Sequence, residues 1–272
     1  MKPSLDRHRF GPWAVVTGAS SGIGAAFARH LAVSGLNLVL AARRLPELRT
    51  LGDELAASHG IDYRAVGVDL TDDDFLDRLR TATADLDVGT VIGNAGAALP
   101  GRFLDLDTDD LLRGVQLKVT ANLRLAHHFG RRLTGRGRGG LLLVSSVGGR
   151  QGVPYMANNA ATEAYVLSLG EALHAEFAGH GVHVTVLLPG PTDTPALAGM
   201  GIDPTALPIR PMSADRCAAE GLAALAANRA THIAGRINRI QAHLLPRPMA
   251  TRVMGATIGR TFAAGSPTGA TA

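Results

Sequence analysis

The chain has 272 residues, 46% of them hydrophobic, so it can bury a large core as a single domain. One cysteine, Cys217, excludes a disulfide framework and points to a reducing compartment, and no run of about 18 apolar residues suggests a membrane span. The net charge of +4 is uneven: no acid follows Glu220, while Arg229, Arg236, Arg239, Arg247, Arg252 and Arg260 do, a pattern that reads as a solvated basic surface.

In chain order, "WAVVTGA" is a short β-rich run ending in glycine, and "GIGAAFARHLAVSG" follows with helical spacing. "LNLVLAAR" reads as a second strand, "LPELRTLGDELAASHG" as an amphipathic helix and "DYRAVGVDL" as a third strand. "TDDDFLDRLRTATA" predicts a helix capped by Thr71, with acids in its first turn. "VGTVIGNAG" gives a fourth strand, residues 108–135 a long helix, and "GGLLLVSS" a fifth strand. Residues 156–179 give another helix and "GVHVTVLLPG" a sixth strand. Residues 191–212, rich in Pro, Gly and Thr, read as a mobile substrate loop, and "SADRCAAEGLAALAA" starts a C-terminal helical region over 213–262. The small-residue tail, 263–272, is expected to be disordered.

Strands alternating with helices of this length imply right-handed crossovers and a parallel sheet covered on both faces. The expected class is α/β: one doubly wound, Rossmann-type domain with its core at about 12–190 and no interdomain linker. The opening "MKPSLDRHRFGPW" holds no apolar signal-peptide core, which predicts a cytoplasmic protein.

The first turn, "TGASSGIG", follows a strand and opens a helix. Gly18, Gly22 and Gly24, with Ser20, Ser21 and Ile23 between them, let the backbone approach a pyrophosphate that the helix N-terminus would attract. An acid about 20 residues beyond such a turn would hold the ribose 2′-OH of NAD. Here the second strand ends in Ala41 and Ala42, followed by Arg43 and Arg44. Two guanidiniums and no carboxylate suit a 2′-phosphate, so NADP(H) is the expected cofactor, against the plainer reading of two surface arginines.

The pattern T-G-x-x-x-G-x-G resembles the short-chain dehydrogenase/reductase family, and "GNAG" (93–96), "VSS" (144–146) and "PG" (189–190) arrive in that family's order. The resemblance covers roughly residues 12 to 250 and implies nicotinamide bound at the C-terminal edge of the sheet. It implies that Asp69 and Leu70 border the adenine and that Asn94, Ala95 and Gly96 border the adjacent ribose. Pro189, Gly190, Thr192 and Thr194 would frame the nicotinamide. The helices at 108–135 and 156–179 would be subunit contacts of a homodimer or homotetramer.

The family usually carries Asn, Ser, Tyr and Lys as its catalytic set, with serine and tyrosine thirteen residues apart. Thirteen steps from Ser146 lead to Asn159, four more lead to Glu163, and the asparagine position falls on Lys118. A rival register uses Tyr155, only nine residues past Ser146, although that position also suits a pocket wall. Gly93 replaces the first asparagine of the usual "NNAG". An amide is no practical proton donor near neutral pH, and losing a general acid costs about 10²–10⁴ in rate for a carbonyl substrate. Lys118, one of two lysines in the chain, can face Glu163 across two neighbouring helices as a charge pair swapped in position.

Three readings follow for a small-molecule substrate. A reductase can act on an iminium carbon, as formed from a hemiaminal, because that carbon accepts hydride without a proton. The chain can instead be a non-catalytic NADP(H)-binding module. Or it can be a carbonyl reductase that uses Tyr155 or Ser146 with water. His127, His128, His174, His180 and His183 form no metal-ligand spacing, and "GRGRGG" (135–140) lacks the aromatics of a nucleic-acid site, so neither metal, nucleic acid nor membrane is expected.

Overall fold

The computed structural model describes residues 5–200, 210–244 and 246–264. A one-turn helix α1 (Arg7–Phe10) precedes β1 (Trp13–Thr17), α2 (Gly22–Val33), β2 (Asn37–Ala42), α3 (Leu45–His59) and β3 (Tyr63–Gly67). Next come α4 (Phe75–Ala82), β4 (Val88–Gly93), and α5 (Thr108–Val115) joined to α6 (Ala121–Arg136) by a π-helical turn at Gln116–Thr120. β5 (Gly139–Val144), α7 (Ala157–Ala178) and β6 (Val182–Leu188) complete the alternation. Beyond them lie β7 (Thr192–Asp193), α8 (Pro195–Ala198), β8 (Met212–Ser213), α9 (Ala214–Ala226), β9 (Thr231–Ile233), α10 (Arg236–Leu244) and α11 (Arg247–Ala264).

Seven parallel strands form one sheet in the order β3-β2-β1-β4-β5-β6-β9, so the crossovers reverse direction between β1 and β4. That reversal opens a crevice beyond the carboxyl ends of the strands, where ligands of doubly wound sheets bind. The strands read as apolar runs because both faces are buried. In β1, Ala14 and Val16 face a core with Phe27, Leu31 and Leu48, while Val15 faces a second core with Phe75, Phe129 and Val166. The first core is sealed by α2, α3 and α9, and the second by α4, α6 and α7.

The expected α/β architecture is the observed one, with local corrections. The sheet has a seventh strand, β9, whose three residues are too few to show a period. The helix predicted from Thr71 starts at Phe75; Thr71 instead donates its N–H and hydroxyl to Asp69 at 3.0 and 2.8 Å. The long helix predicted at 108–135 contains the π-helical turn, which divides it into α5 and α6. Within 191–212, β7 pairs in parallel with β8, and Thr194 caps α8 by accepting from Leu197 N. Residues 201–209 of the expected substrate loop and 265–272 of the expected tail lie outside the described residues. Helix α11 runs through Ala264, which takes residues 263 and 264 out of that tail.

Candidate active site

The turn after β1 puts Gly18 at φ +65° and Gly22 at φ +55°, left-handed conformations that favour glycine. Gly24 is required for a different reason: a Cβ there would collide with the Gly18 carbonyl and with Asn94 Nδ2, 2.7 Å away. Its bare backbone lets α2 start directly beneath the turn. Thr17 ties this turn to the next strand by donating to Ile92 O at 3.2 Å and accepting from the N–H groups of Asn94 (3.0 Å) and Ala95 (3.2 Å). Asn94 Nδ2 returns a bond to Thr17 O at 3.0 Å. Sequence reasoning missed Thr17, whose signal is a hydroxyl residue closing a wholly apolar strand.

The residues beyond β2 lie next to this turn. Arg44 donates to Ser20 Oγ at 3.0 Å, which places its guanidinium over the glycine turn, and it also meets Glu47 at 3.5 Å. Arg43 is exposed and its charge reaches Asp69. Burial pushes the Asp69 carboxyl up, but the bonds from Thr71, the charge of Arg43 and the bond from Arg113 outweigh it and hold the group below its ordinary value. Asp69 therefore stays ionised beside its neighbour Leu70, with Arg113 Nη2 at 3.1 Å.

The loop beyond β6 closes on the same turn. A Cβ on Gly22 would lie 3.1 Å from the Thr194 methyl group. Pro189 O accepts from Val147 N at 2.9 Å, Gly190 packs on Asn238, and buried Thr192 donates to Gly190 O at 3.0 Å. Thr192 also lies against Cys217, whose thiol is pushed by burial up to about 12.

The chemical end is built by the π-helical turn and α7. Lys118 sits inside that turn with its side chain 7% exposed, reaches Glu163 Oε1 on α7 at 3.1 Å, and donates to Val144 O at 2.7 Å. Glu163 is 15% exposed, and its Oε2 is buried without a hydrogen-bond partner among the described residues. Ser145 Oγ donates to the Glu163 carbonyl at 2.8 Å, locking the start of α7 to the end of β5. A Cβ on Gly96 would be 3.3 Å from Lys118 Nζ, so the charge pair touches the loop of Asn94, Ala95 and Gly96. Asn122, one turn after Lys118, donates to Lys118 O at 2.7 Å. Its Oδ1, also unpartnered, fills the space that a Cβ at position 93 would need, so Gly93 and Asn122 go together.

Asn159 uses both ends of its amide on backbone. Oδ1 accepts from Leu99 N and Nδ2 donates to Ala97 O, each at 3.1 Å, which staples the loop beyond β4 to α7. Ser146 Oγ accepts from Gly148 N at 3.1 Å and opens the turn at Val147–Arg150. Tyr155 has φ +64°, and its ring packs against Gly259 of α11, beside Val153, Ala160 and Ile258. The structure thus gathers Lys118, Glu163 and Gly96, holds Asn159 of α7 against the neighbouring loop, and turns Tyr155 under the last helix. Among the described residues no group of His, Cys, Asp and Glu could hold a metal ion, and no helix is long and apolar enough to cross a membrane.

A doubly wound sheet with a glycine turn at its switch point defines a dinucleotide-binding α/β protein. The family model described as short chain dehydrogenase matches residues 12–203, and the chain belongs to that family. It is 31% identical over 191 residues to a 7beta-hydroxysteroid dehydrogenase of Mediterraneibacter gnavus, covering 70% of this chain and 73% of that protein. A solved structure from a study of 7beta-hydroxysteroid dehydrogenase stereoselectivity superposes with a TM-score of 0.83 at 26% identity, covering 94% of this chain and all of that one. A short-chain dehydrogenase from Sphingobium yanoikuyae in complex with NADPH gives 0.78 at 29% identity, covering 96% and 99%.

Proposed function

We propose that the chain is an NADP(H)-dependent reductase whose substrate carbon needs little or no general acid, such as an iminium derived from a hemiaminal. The family and the NADPH-bound relative support an oxidoreductase with this cofactor. The residues of the site support it: the glycine turn opens directly onto the N-terminus of α2, and Arg44 reaches Ser20 of that turn with Arg43 exposed beside it. When bound, the nicotinamide supplies the hydride.

The observation that carries the substrate class is the pairing of a spent amide with an unspent carboxylate oxygen. Asn159 holds a loop with both ends of its side chain and has no acidic proton to give. Glu163 keeps Oε2 unpartnered among the described residues while Lys118 anchors Oε1. A fixed carboxylate oxygen favours positive charge on a substrate, and electrostatic complementarity set in place before reaction is a strong source of rate. An alkoxide formed from a ketone would be disfavoured by the same oxygen, whereas the neutral amine formed from an iminium would not.

A second reading, carbonyl reduction or the reverse alcohol oxidation, draws support from the name of the 7beta-hydroxysteroid dehydrogenase relatives. It would rest on Tyr155 or Ser146 with water. The packing of Tyr155 against Gly259 speaks against the first of these.

The test is NADPH oxidation with a panel of cyclic imines and hemiaminals beside a panel of ketones. Turnover of imines, lowered at least tenfold by Glu163→Gln, is expected. Ketone turnover abolished by Tyr155→Phe would establish the second reading. NADPH binding with no turnover on either panel would leave a binding module.

A further inference from the structure

A cavity of about 280 Å³ opens at the edge of the sheet, between α7 and β9. Leu167, Leu188 and Ile233 wall it, and Arg150, Arg229 and Arg239 line it as well. None of these residues belongs to the glycine turn or to the Lys118 and Glu163 set. The acid among the lining residues is Glu171, exposed on α7. His232, which also lines the cavity, is held down by burial, partly offset by its bond to Glu220, so it adds little positive charge near neutral pH.

Glu220 neutralises the rim only on the side of Arg239. Its oxygens already meet Arg216 Nε at 3.0 Å, His232 Nε2 at 3.1 Å and Gly235 N at 2.9 Å, with Arg239 farther away at 3.5 Å. The guanidiniums of Arg150 and Arg229 make no hydrogen bond or ion pair among the described residues. Arg239 is engaged by Glu220 and by the Ile233 carbonyl, so an anion in this partly apolar cavity would pair with Arg150 and Arg229. The guanidinium fork matches carboxylate and phosphate oxygens two at a time.

We propose that this cavity is a binding site for a small organic oxyanion, a phosphate monoester or carboxylate carried on a short apolar body. Its volume holds roughly nine water-sized groups, which admits a compact metabolite and excludes a dinucleotide. Arg150 ends the turn that Ser146 opens, and Leu167 lies one helical turn beyond Glu163, so a bound anion clamps the two elements that carry the candidate chemistry.

Calorimetric titration with inorganic phosphate and with propyl phosphate tests the site, independently of any turnover. Three proteins separate it from the arginines at the glycine turn: the wild type, Arg43→Ala/Arg44→Ala and Arg150→Ala/Arg229→Ala. Propyl phosphate is expected to bind the wild type more tightly than phosphate does, because the walls are apolar. Its affinity should stay within twofold in Arg43→Ala/Arg44→Ala and fall at least tenfold in Arg150→Ala/Arg229→Ala. Glu171→Gln should tighten it a few-fold, a gain that misfolding cannot mimic. Absence of binding in the wild type, unchanged affinity in Arg150→Ala/Arg229→Ala, or loss confined to Arg43→Ala/Arg44→Ala would overturn the proposal.

Discussion

The two ends of the cleft treat polar groups in opposite ways. Around the glycine turn, Thr17, Asn94 and Ala95 close a ring of hydrogen bonds, and the exposed arginines beside it stay in water. Around the π-helical turn, a lysine and a glutamate are taken out of water together, and two buried oxygens, Asn122 Oδ1 and Glu163 Oε2, have no partner among the described residues. The first arrangement is a scaffold that any dinucleotide protein of this class can use. The second departs from the rule that buried polar groups are satisfied, and such departures concentrate where a site needs them.

The difference is testable first through Lys118. Removing one partner of a buried pair leaves the other charge uncompensated, which costs about 3–5 kcal/mol. Lys118→Met should lower the unfolding free energy measured in urea by that amount, whereas Lys118→Met combined with Glu163→Leu should recover most of it. Equal losses in the single and double variants would mean that the pair is not the source of the effect.

At the other end, Arg43→Ala/Arg44→Ala removes charge-assisted bonds to a phosphate, worth about 1.5–3 kcal/mol each. Fluorescence titration should show NADPH affinity falling by about 10²- to 10⁴-fold while NADH affinity holds. A parallel fall for both cofactors would take the arginines out of 2′-phosphate recognition.

How much of this contrast could be read before the structure depended on the range of the forces involved. The βα rhythm and the glycine turn are local, and the chain displays them openly. Counting from Ser146 with the spacing usual in the family also reached Asn159, Glu163 and Lys118. The 3.1 Å contact between Lys118 and Glu163 belongs to that same count. Exchanges across elements were out of reach. That Gly93 makes room for Asn122 and that α11 covers Tyr155 depend on packing between segments far apart in the chain. The π-helical turn went unread, and Asp74 took the helix start from Thr71 because Asp69 had engaged it.

A smaller effect is expected where the two ends meet, at Asn159. Its two neutral hydrogen bonds hold residues 97–99 at a partly solvated position, so Asn159→Ala should cost about 1–2 kcal/mol. The readout that tells loop positioning from proton supply is the pH profile. If Asn159 only positions the loop, KM for the substrate rises and the pH dependence of kcat keeps its shape. A lost limb in that profile would reassign it.

The gentlest test is pH itself, and it acts away from the Lys118 pair. His128, His183 and His232 are all held below the ordinary 6.5, in each case chiefly by burial. His128 is further lowered by Arg132 and Arg80, while His183 and His232 are partly restored by their hydrogen bonds to Leu225 O and Glu220. A base whose folded pKa is depressed takes up its proton more readily unfolded. Its contribution is complete above 6.5 and is lost as pH falls through the folded value. Thermal unfolding should therefore show a level Tm from about pH 7 to 8 and a decline as pH drops below 6.5. His232→Gln, which keeps a donor for Glu220 without the titration, should flatten part of that decline. A Tm that rises on acidification from pH 7 would contradict the neutral state of all three histidines.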